Sequence, residues 1–169
     1  MHLIRRFGMY LSLTIISVVH AVRYWTSFRT SSIQGVRVIL VKDRSVVLVT
    51  HWYAPWTWTL PGGGVNKNEA PEAAAIREVK EETGFDVKSL AGEIGKYKGT
   101  WGRGDMVMVY YTGDFEGSLS LTPNIEIIGR SWFDIDNLPE EHSPANRRRI
   151  RCVWREVEVL AESERGGSG

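Results

Sequence analysis

Between Gly63 and Phe85 the chain reads GGVNKNEAPEAAAIREVKEETGF, and no other stretch limits its fold and chemistry as strongly. If Pro71 to Thr83 is helical, Glu78, Glu81 and Glu82 stand at i, i+3 and i+4 and project from one face. A like-charged pair such as Glu78 and Glu82 destabilises an isolated helix by about 0.2–0.5 kcal/mol. Arg77 is spaced to offset Glu81, but nothing comparable is spaced to neutralise Glu78 or Glu82. Ala74 and Ala75 leave room above the acidic face, while Ile76 and Val79 point to the other side and pack inward. Hard carboxylate oxygens grouped in this way suit Mg2+ or Mn2+, which keep some waters and take phosphate oxygens at the remaining positions. A solvated acidic face is the other reading of the same spacing.

The glycines and prolines around the acids agree with a phosphate-facing turn leading into a helix. Gly62, Gly63 and Gly64 follow Pro61. They allow tight turns that aim a carbonyl at a metal and bring the main chain close to phosphate. Pro71 suits the first helical turn and Gly84 the left-handed residue that ends it. Ala70 is a poor N-cap, so that either Asn68 substitutes for it or the cap is weak.

Written as G(x5)E(x7)REUxEExGU, with U apolar, the signature of the Nudix hydrolases is matched at every fixed position: Gly63, Glu69, Arg77, Glu78, Val79, Glu81, Glu82, Gly84 and Phe85. The preceding Trp58, Leu60, Pro61 and Gly62 also resemble the approach to that signature, and the resemblance extends from about Gly35 to Leu138. It implies an α/β (α+β) protein with the Nudix fold, a mixed β-sheet sandwiched between α-helices. It also implies a pyrophosphohydrolase that needs Mg2+, or Mn2+ in its place, to cleave a nucleoside diphosphate linked to another moiety.

Carried over position by position, the resemblance makes Glu78, Glu81, Glu82 and the Gly63 carbonyl the metal ligands. Glu78, Glu81 and Arg77 are the catalytic set, with Glu78 the first candidate to deprotonate the water. Arg77 then orients Glu69 and a neighbouring glutamate, and Glu69 approaches the metal from outside the ligand set. Some members of the family recruit a late acid before an aromatic strand. Glu126, ahead of Trp132 and Phe133, is so placed and is a further metal candidate, with an exposed loop glutamate as the equal alternative. For substrate, Trp101 and Arg103 sit in a glycine-flanked loop suited to stacking a base and holding a phosphate, and Arg37 faces the cleft from its strand. Trp52 and Trp56 are a second aromatic source.

Composition narrows the partners. A chain of 169 residues with net charge +1 carries no general signal for nucleic acid. The expected partner is a nucleotide-type small molecule, and no DNA. The Arg147, Arg148, Arg149, Arg151 cluster suits an RNA end, but a solvated helix face is the better reading. A single cysteine, Cys152, excludes an intrachain disulfide and is read as a partly buried, inert thiol.

Residues 1–28 differ from the rest. Phe7 to Val22 contains no charged residue, with Arg5 and Arg6 before it and Arg23 after. Leu3, Phe7, Leu11, Val18, Val22 and Trp25 share one arc of a helical wheel. Three readings stand: a helix docked on the domain or on the mate of a homodimer, a peripheral membrane helix, or an export or anchor signal. A cytoplasmic enzyme, membrane-associated only through this segment, is the expected setting. The Nudix domain covers 29–162, and 163–169 reads as a disordered tail. Within the domain, strands are predicted at Val36–Val41, Val46–Thr50, Gly92–Lys98, Met106–Phe115 and Ile127–Phe133. A closing helix after Ser143 and Pro144 buries Ile150, Val153, Trp154 and Val157.

Overall fold

A computed structural model describes residues 35–98, 106–120, 126–142 and 144–166. The two β-branched runs near its start form β1 (Gly35–Lys42) and β2 (Ser45–His51). Asp43 and Arg44 join them with φ of 47° and 63°. Two successive positive-φ residues make the turn whose twist matches that of a hairpin. There follow β3 (Ala54–Thr59), α1 (Pro71–Thr83), β4 (Asp86–Val87), β5 (Gly92–Lys98), β6 (Met106–Thr112), β7 (Phe115–Glu116), β8 (Ile127–Asp134) and α2 (Pro144–Gly166).

Among the described residues, six strands form one mixed sheet in the order β3-β2-β1-β6-β5, with β8 on the free edge of β2. β1 pairs in parallel with β6 from Gly35↔Val107 to Leu40↔Thr112. β2 pairs with β8 along its whole length, from Ser45↔Asp134 to His51↔Ile127. The other edge of β1 is shared. Its last residues pair with β2 through Val41↔Val46 and Lys42↔Ser45. Its first residues donate instead to the glycine turn, Val38 N–H to the Pro61 carbonyl and Val36 N–H to the Gly63 carbonyl, each at 2.9 Å. The turn is therefore bonded to the sheet like a short extra strand, which satisfies backbone groups that a surface loop would leave to water.

Alternate residues of β1 divide the core. Val36, Val38 and Leu40 face α1 with Ala74, Ala75, Val79, Met108 and Tyr110. Ile39 and Val41 face α2 with Leu48, Leu60, Val109, Ile150 and Val153. Each such aliphatic side chain contributes about 1.5–3 kcal/mol on full burial. A mixed sheet between helices is thus the architecture that the sequence pattern implies.

Several local expectations need correction. α1 buries Ala74, Ala75, Glu78, Val79, Glu82 and Thr83, while Ile76 is 37% exposed. The alanines are therefore the contact face: small side chains let the helix come close to β1, and Ile76 is rotated off that face. The strand expected over Met106–Phe115 stops at Thr112, and Phe115 belongs to a small separate ladder with β4. The Thr112 hydroxyl accepts from Asp114 N–H at 2.9 Å and so closes a turn where the strand would have continued. β3 is a strand the sequence reading missed, an edge segment with Pro55, Trp56 and Thr57 exposed. α2 continues through Gly166, into the segment expected to be a tail. Cys152 is exposed, because Ile150 and Val153 set which side of α2 faces the sheet. Trp101, Arg103 and the segment 1–28 lie outside the described residues.

Candidate active site

α1 starts with Pro71 and ends at Gly84, which has φ 86° and returns its N–H to the Lys80 carbonyl. Ala70 provides no side-chain cap, and Asn68 does not replace it. Instead Asn66 N–H donates to Glu69 Oε2 at 2.8 Å and the Glu69 N–H to the Asn66 carbonyl at 3.1 Å, closing the approach loop on itself.

Arg77 gathers the site. Its Nε donates to Glu69 Oε1 at 2.8 Å and Nη2 to Glu69 Oε2 at 3.0 Å, a two-pronged contact that matches the planar fork to the carboxylate. Nη2 also donates to the Gly64 carbonyl at 3.0 Å, and Nη1 to Glu78 Oε1 at 2.8 Å and Glu81 Oε2 at 3.4 Å. One guanidinium thus ties together the glycine turn, the approach loop and one turn of the helix. The hydrogen bond from Arg77 holds the Glu69 carboxyl below its usual pKa, and Asn66 adds to that. Both Glu69 and Glu78 raise the pKa of Arg77, which stays charged throughout.

Glu78 and Glu82 are nearly fully buried, whereas half of the Glu81 side chain is open to solvent. The carboxylates therefore do not share one environment, although they share a helix. Burial pushes the Glu78 carboxyl up; Arg77 opposes the shift, and Glu82 and Glu81 reinforce it. The Glu78 carboxylate packs against the α-carbon of Gly63, so closely that a Cβ there would lie 2.5 Å from its Cδ and Oε1. Gly62 is equally constrained, with φ 140° and the Val36 carbonyl 2.2 Å from where its Cβ would stand. Only glycine admits both contacts.

Glu82, expected to lack a neutralising partner, has two polar contacts. Gly62 N–H donates to Oε2 at 2.8 Å, and His51 Nε2 lies 3.2 Å from Oε1. Arg130 of β8 donates to the Glu82 main-chain carbonyl. His51 was not singled out by the sequence reading. It sits 31 positions before Glu82, and only the pairing of β2 with its neighbours brings it there.

The remaining candidates group at the same end of β2. Glu126 is half-buried, and its carbonyl accepts from Trp52 N–H at 3.0 Å. Arg37 is half-buried on β1, on the side shared with Ile39 rather than with Val36, and Nη1 donates to the Val36 carbonyl. Desolvation pushes the Tyr53 hydroxyl above its usual pKa; Arg37 opposes that, while Glu126, Glu82 and Glu78 add to it. Tyr53 thus lies in the field of Arg37 and of all three carboxylates.

Among the described residues, no three histidine or acidic side chains converge as a finished metal centre. The donor chemistry nevertheless fits a hard divalent cation: buried carboxylate oxygens and main-chain carbonyls, with Glu81 beside them and no thiolate among them.

Comparison with known proteins agrees with this geometry. The NUDIX domain model matches residues 32–152. The chain is 30% identical over 117 residues, 69% of its length and 76% of the other's, to a Bacillus subtilis (strain 168) protein provisionally named 8-oxo-dGTP diphosphatase. It is 30% identical over 122 residues, 62% of its length and 74% of the other's, to an RNA pyrophosphohydrolase of Rhodospirillum rubrum. The crystal structure of a MutT NUDIX hydrolase from Burkholderia pseudomallei superposes with a TM-score of 0.59 at 26% identity, over 70% of this chain and 96% of that one. A glycine turn bonded to β1, an acidic helix beneath it and a domain model spanning most of the chain make this protein a member of the Nudix hydrolase family.

Proposed function

We propose that the protein is a Mg2+-dependent pyrophosphohydrolase that cleaves a nucleoside diphosphate linked to another moiety, with water attacking a phosphorus. The observation that carries this reading is the Arg77 network, which holds Glu69, Glu78, Glu81 and the Gly64 carbonyl in one constellation beneath the glycine turn.

Glu78, Glu81, Glu82 and the Gly63 carbonyl would hold Mg2+ or Mn2+, with Glu126 joining from just before β8, and a cation held there would neutralise phosphate oxygens as charge grows on the leaving group. Glu78 takes the proton from the attacking water. Its burial raises its affinity for that proton, a role typically worth about 100- to 10,000-fold. Arg77 keeps that carboxylate in place and keeps Glu69 ionised. His51 and Gly62 N–H fix Glu82 so that it does not swing into solvent. Arg37 stands on β1 to meet a phosphate or the ribose, and Trp101 and Arg103 remain candidates for the moiety beyond the diphosphate.

The relatives' names support the reaction and leave the moiety open, since one names a nucleoside triphosphate and another RNA. A lipid-linked diphosphate is the second reading, and it depends on residues 1–28. No helix among the described residues is long and apolar enough to cross a membrane. Release of a nucleoside monophosphate from a panel of nucleotide diphosphate compounds, with and without Mg2+, tests the proposal. Turnover that needs Mg2+ and falls at least 100-fold in Glu81→Gln and Glu82→Gln is expected. Undiminished turnover in both variants would overturn the assignment.

A further inference from the structure

A cation on β8 reaches the C-terminal turn of the acidic helix, where main-chain carbonyls have run out of helical partners. α1 ends at Thr83, and the residue four beyond Glu82 is Asp86, already in β4 past the left-handed turn at Gly84. The helical ladder therefore supplies no donor for the Glu82 carbonyl. Nearby carbonyls are served by the chain around them, that of Lys80 by Gly84 N–H and that of Thr83 by Ser120 N–H, each at 3.1 Å. The Glu82 carbonyl takes its hydrogen bond from Arg130 Nε instead.

Strand alternation explains how Arg130 comes within reach. Trp132, two residues further along β8, packs into the core cluster on the α1 side, so Arg130 projects to that side as well. It pairs with Val49 of β2, and its side chain is half-buried. Burial lowers the pKa of its guanidinium and the Glu82 carboxylate opposes that shift, so the charge lies in the field of the acid whose main chain it bonds. The dipole of α1 also favours a cation at this end.

Glu82 depends on such an anchor. It is the last residue but one of α1, in the turn where helices fray. Gly62 N–H holds its carboxylate at 2.8 Å and His51 Nε2 at 3.2 Å, both from outside the helix. Those contacts keep their geometry only while the backbone beneath the side chain stays fixed, and about 1 Å of misplacement costs roughly 100-fold in rate. Glu126, directly before β8, is tied to the same end of the sheet, its carbonyl accepting from Trp52 N–H at 3.0 Å. Arg130 thus bonds the strand that follows Glu126 to the helix that carries Glu82.

We propose that Arg130 is a positioning residue for metal binding: the hydrogen bond from its Nε fixes the last turn of α1 against β8 and so sets where the Glu82 carboxylate stands relative to Glu78 and Glu126. This rests on the Mg2+-dependent reading above and adds to it what holds the ligand set in register.

Titration of the full chain with Mn2+, followed by the paramagnetic resonance of the free ion, gives affinity and number of sites separately. Substitutions at 130 distinguish the hydrogen bond from the charge. Arg130→Gln keeps an N–H donor where Nε stands and loses the charge, Arg130→Lys keeps the charge and puts a methylene there, and Arg130→Met has neither. Arg130→Met is expected to weaken Mn2+ binding about 10- to 100-fold with the number of sites unchanged, the range for groups that orient metal ligands. Arg130→Gln is expected to stay within about threefold of wild type, and Arg130→Lys to fall between the two. A role in stability alone predicts a lower Tm or fewer sites at the wild-type Kd. That result would overturn the inference and leave the hydrolase reading standing. So would Arg130→Lys binding as tightly as wild type while Arg130→Gln does not, a comparison that decides the matter even where Arg130→Met fails to fold. Wild-type protein that binds no Mn2+ and cleaves no nucleotide would overturn both.

Discussion

The carboxylate of Glu78 rests against the α-carbon of Gly63, with no space between them for a methyl group. Glycine at this position is thus required by the acid across from it, since Gly63 is not among the residues with positive φ. The clash in Gly63→Ala falls on the far end of a flexible side chain, which swings aside at moderate cost, about 1–3 kcal/mol of stability at most. Moving the carboxylate breaks its contact with Arg77 and displaces the proposed base. Activity is therefore expected to fall about 100-fold, the cost of roughly 1 Å of misplacement. Thermal denaturation and turnover measured on the same preparation separate the two effects.

Arg77→Lys keeps the charge and loses the fork. A lysine cannot span Glu69, Glu78 and the Gly64 carbonyl at once. Groups that orient metal-binding side chains typically contribute 10- to 100-fold in affinity or activity, and Mn2+ affinity or turnover is expected to fall by about that much. The fork also holds Glu69 below its ordinary pKa, which contributes stability above pH 4.5 that is lost as the pH falls through the depressed value. Acid denaturation of Arg77→Lys is expected to lack that increment.

The extent to which the site was legible in the sequence follows from these two residues. Glycine at 63 and the acids at 69, 78, 81 and 82 stand at fixed spacings within a short segment, and one helix with Pro71 and Gly84 at its ends carries most of them. Local periodicity therefore places them. It does not say which side of that helix meets the sheet. Ala74 and Ala75 win the contact over Ile76 because close approach to β1 outweighs the burial of one larger side chain. That choice also sends Glu78 and Glu82 inward and leaves Glu81 out. Partners from distant segments were out of reach. His51 and Arg130 arrive at Glu82 only through the β2–β8 ladder, and the exposed, proline-containing β3 carries little strand signal of its own.

Gly84→Ala tests the helix stop. Its φ of 86° disfavours a side chain, and a Cβ would stand 2.2 Å from Ser120 Oγ. A loss of roughly 1–3 kcal/mol is expected from the backbone conformation alone. Adding Ser120→Gly should restore only the steric part. Urea denaturation of the single and double variants checks both statements.

His142 gives the fold an acid limit independent of the glutamates. It is buried before α2 beside Trp58, and neither ring nitrogen meets a hydrogen-bonding partner among the described residues. Burial lowers its pKa. A Trp58 main-chain group opposes the shift, and Arg147 adds to it. The neutral form is favoured in the folded state. Its stability contribution is complete above pH 6.5 and is lost as the pH falls through the lowered value. Stability measured against pH is expected to decline below 6.5 in the wild type, and that segment of the curve should flatten in His142→Leu.

Hydrolysis in water enriched in oxygen-18 bears most directly on the central claim, that the acids beneath the glycine turn direct water onto a phosphorus. One labelled oxygen is expected in a phosphate-bearing product, dependent on Mg2+, with the rate reduced at least 100-fold in Glu78→Gln. Products without label in the phosphate, or labelled at the wild-type rate in Glu78→Gln, would contradict it.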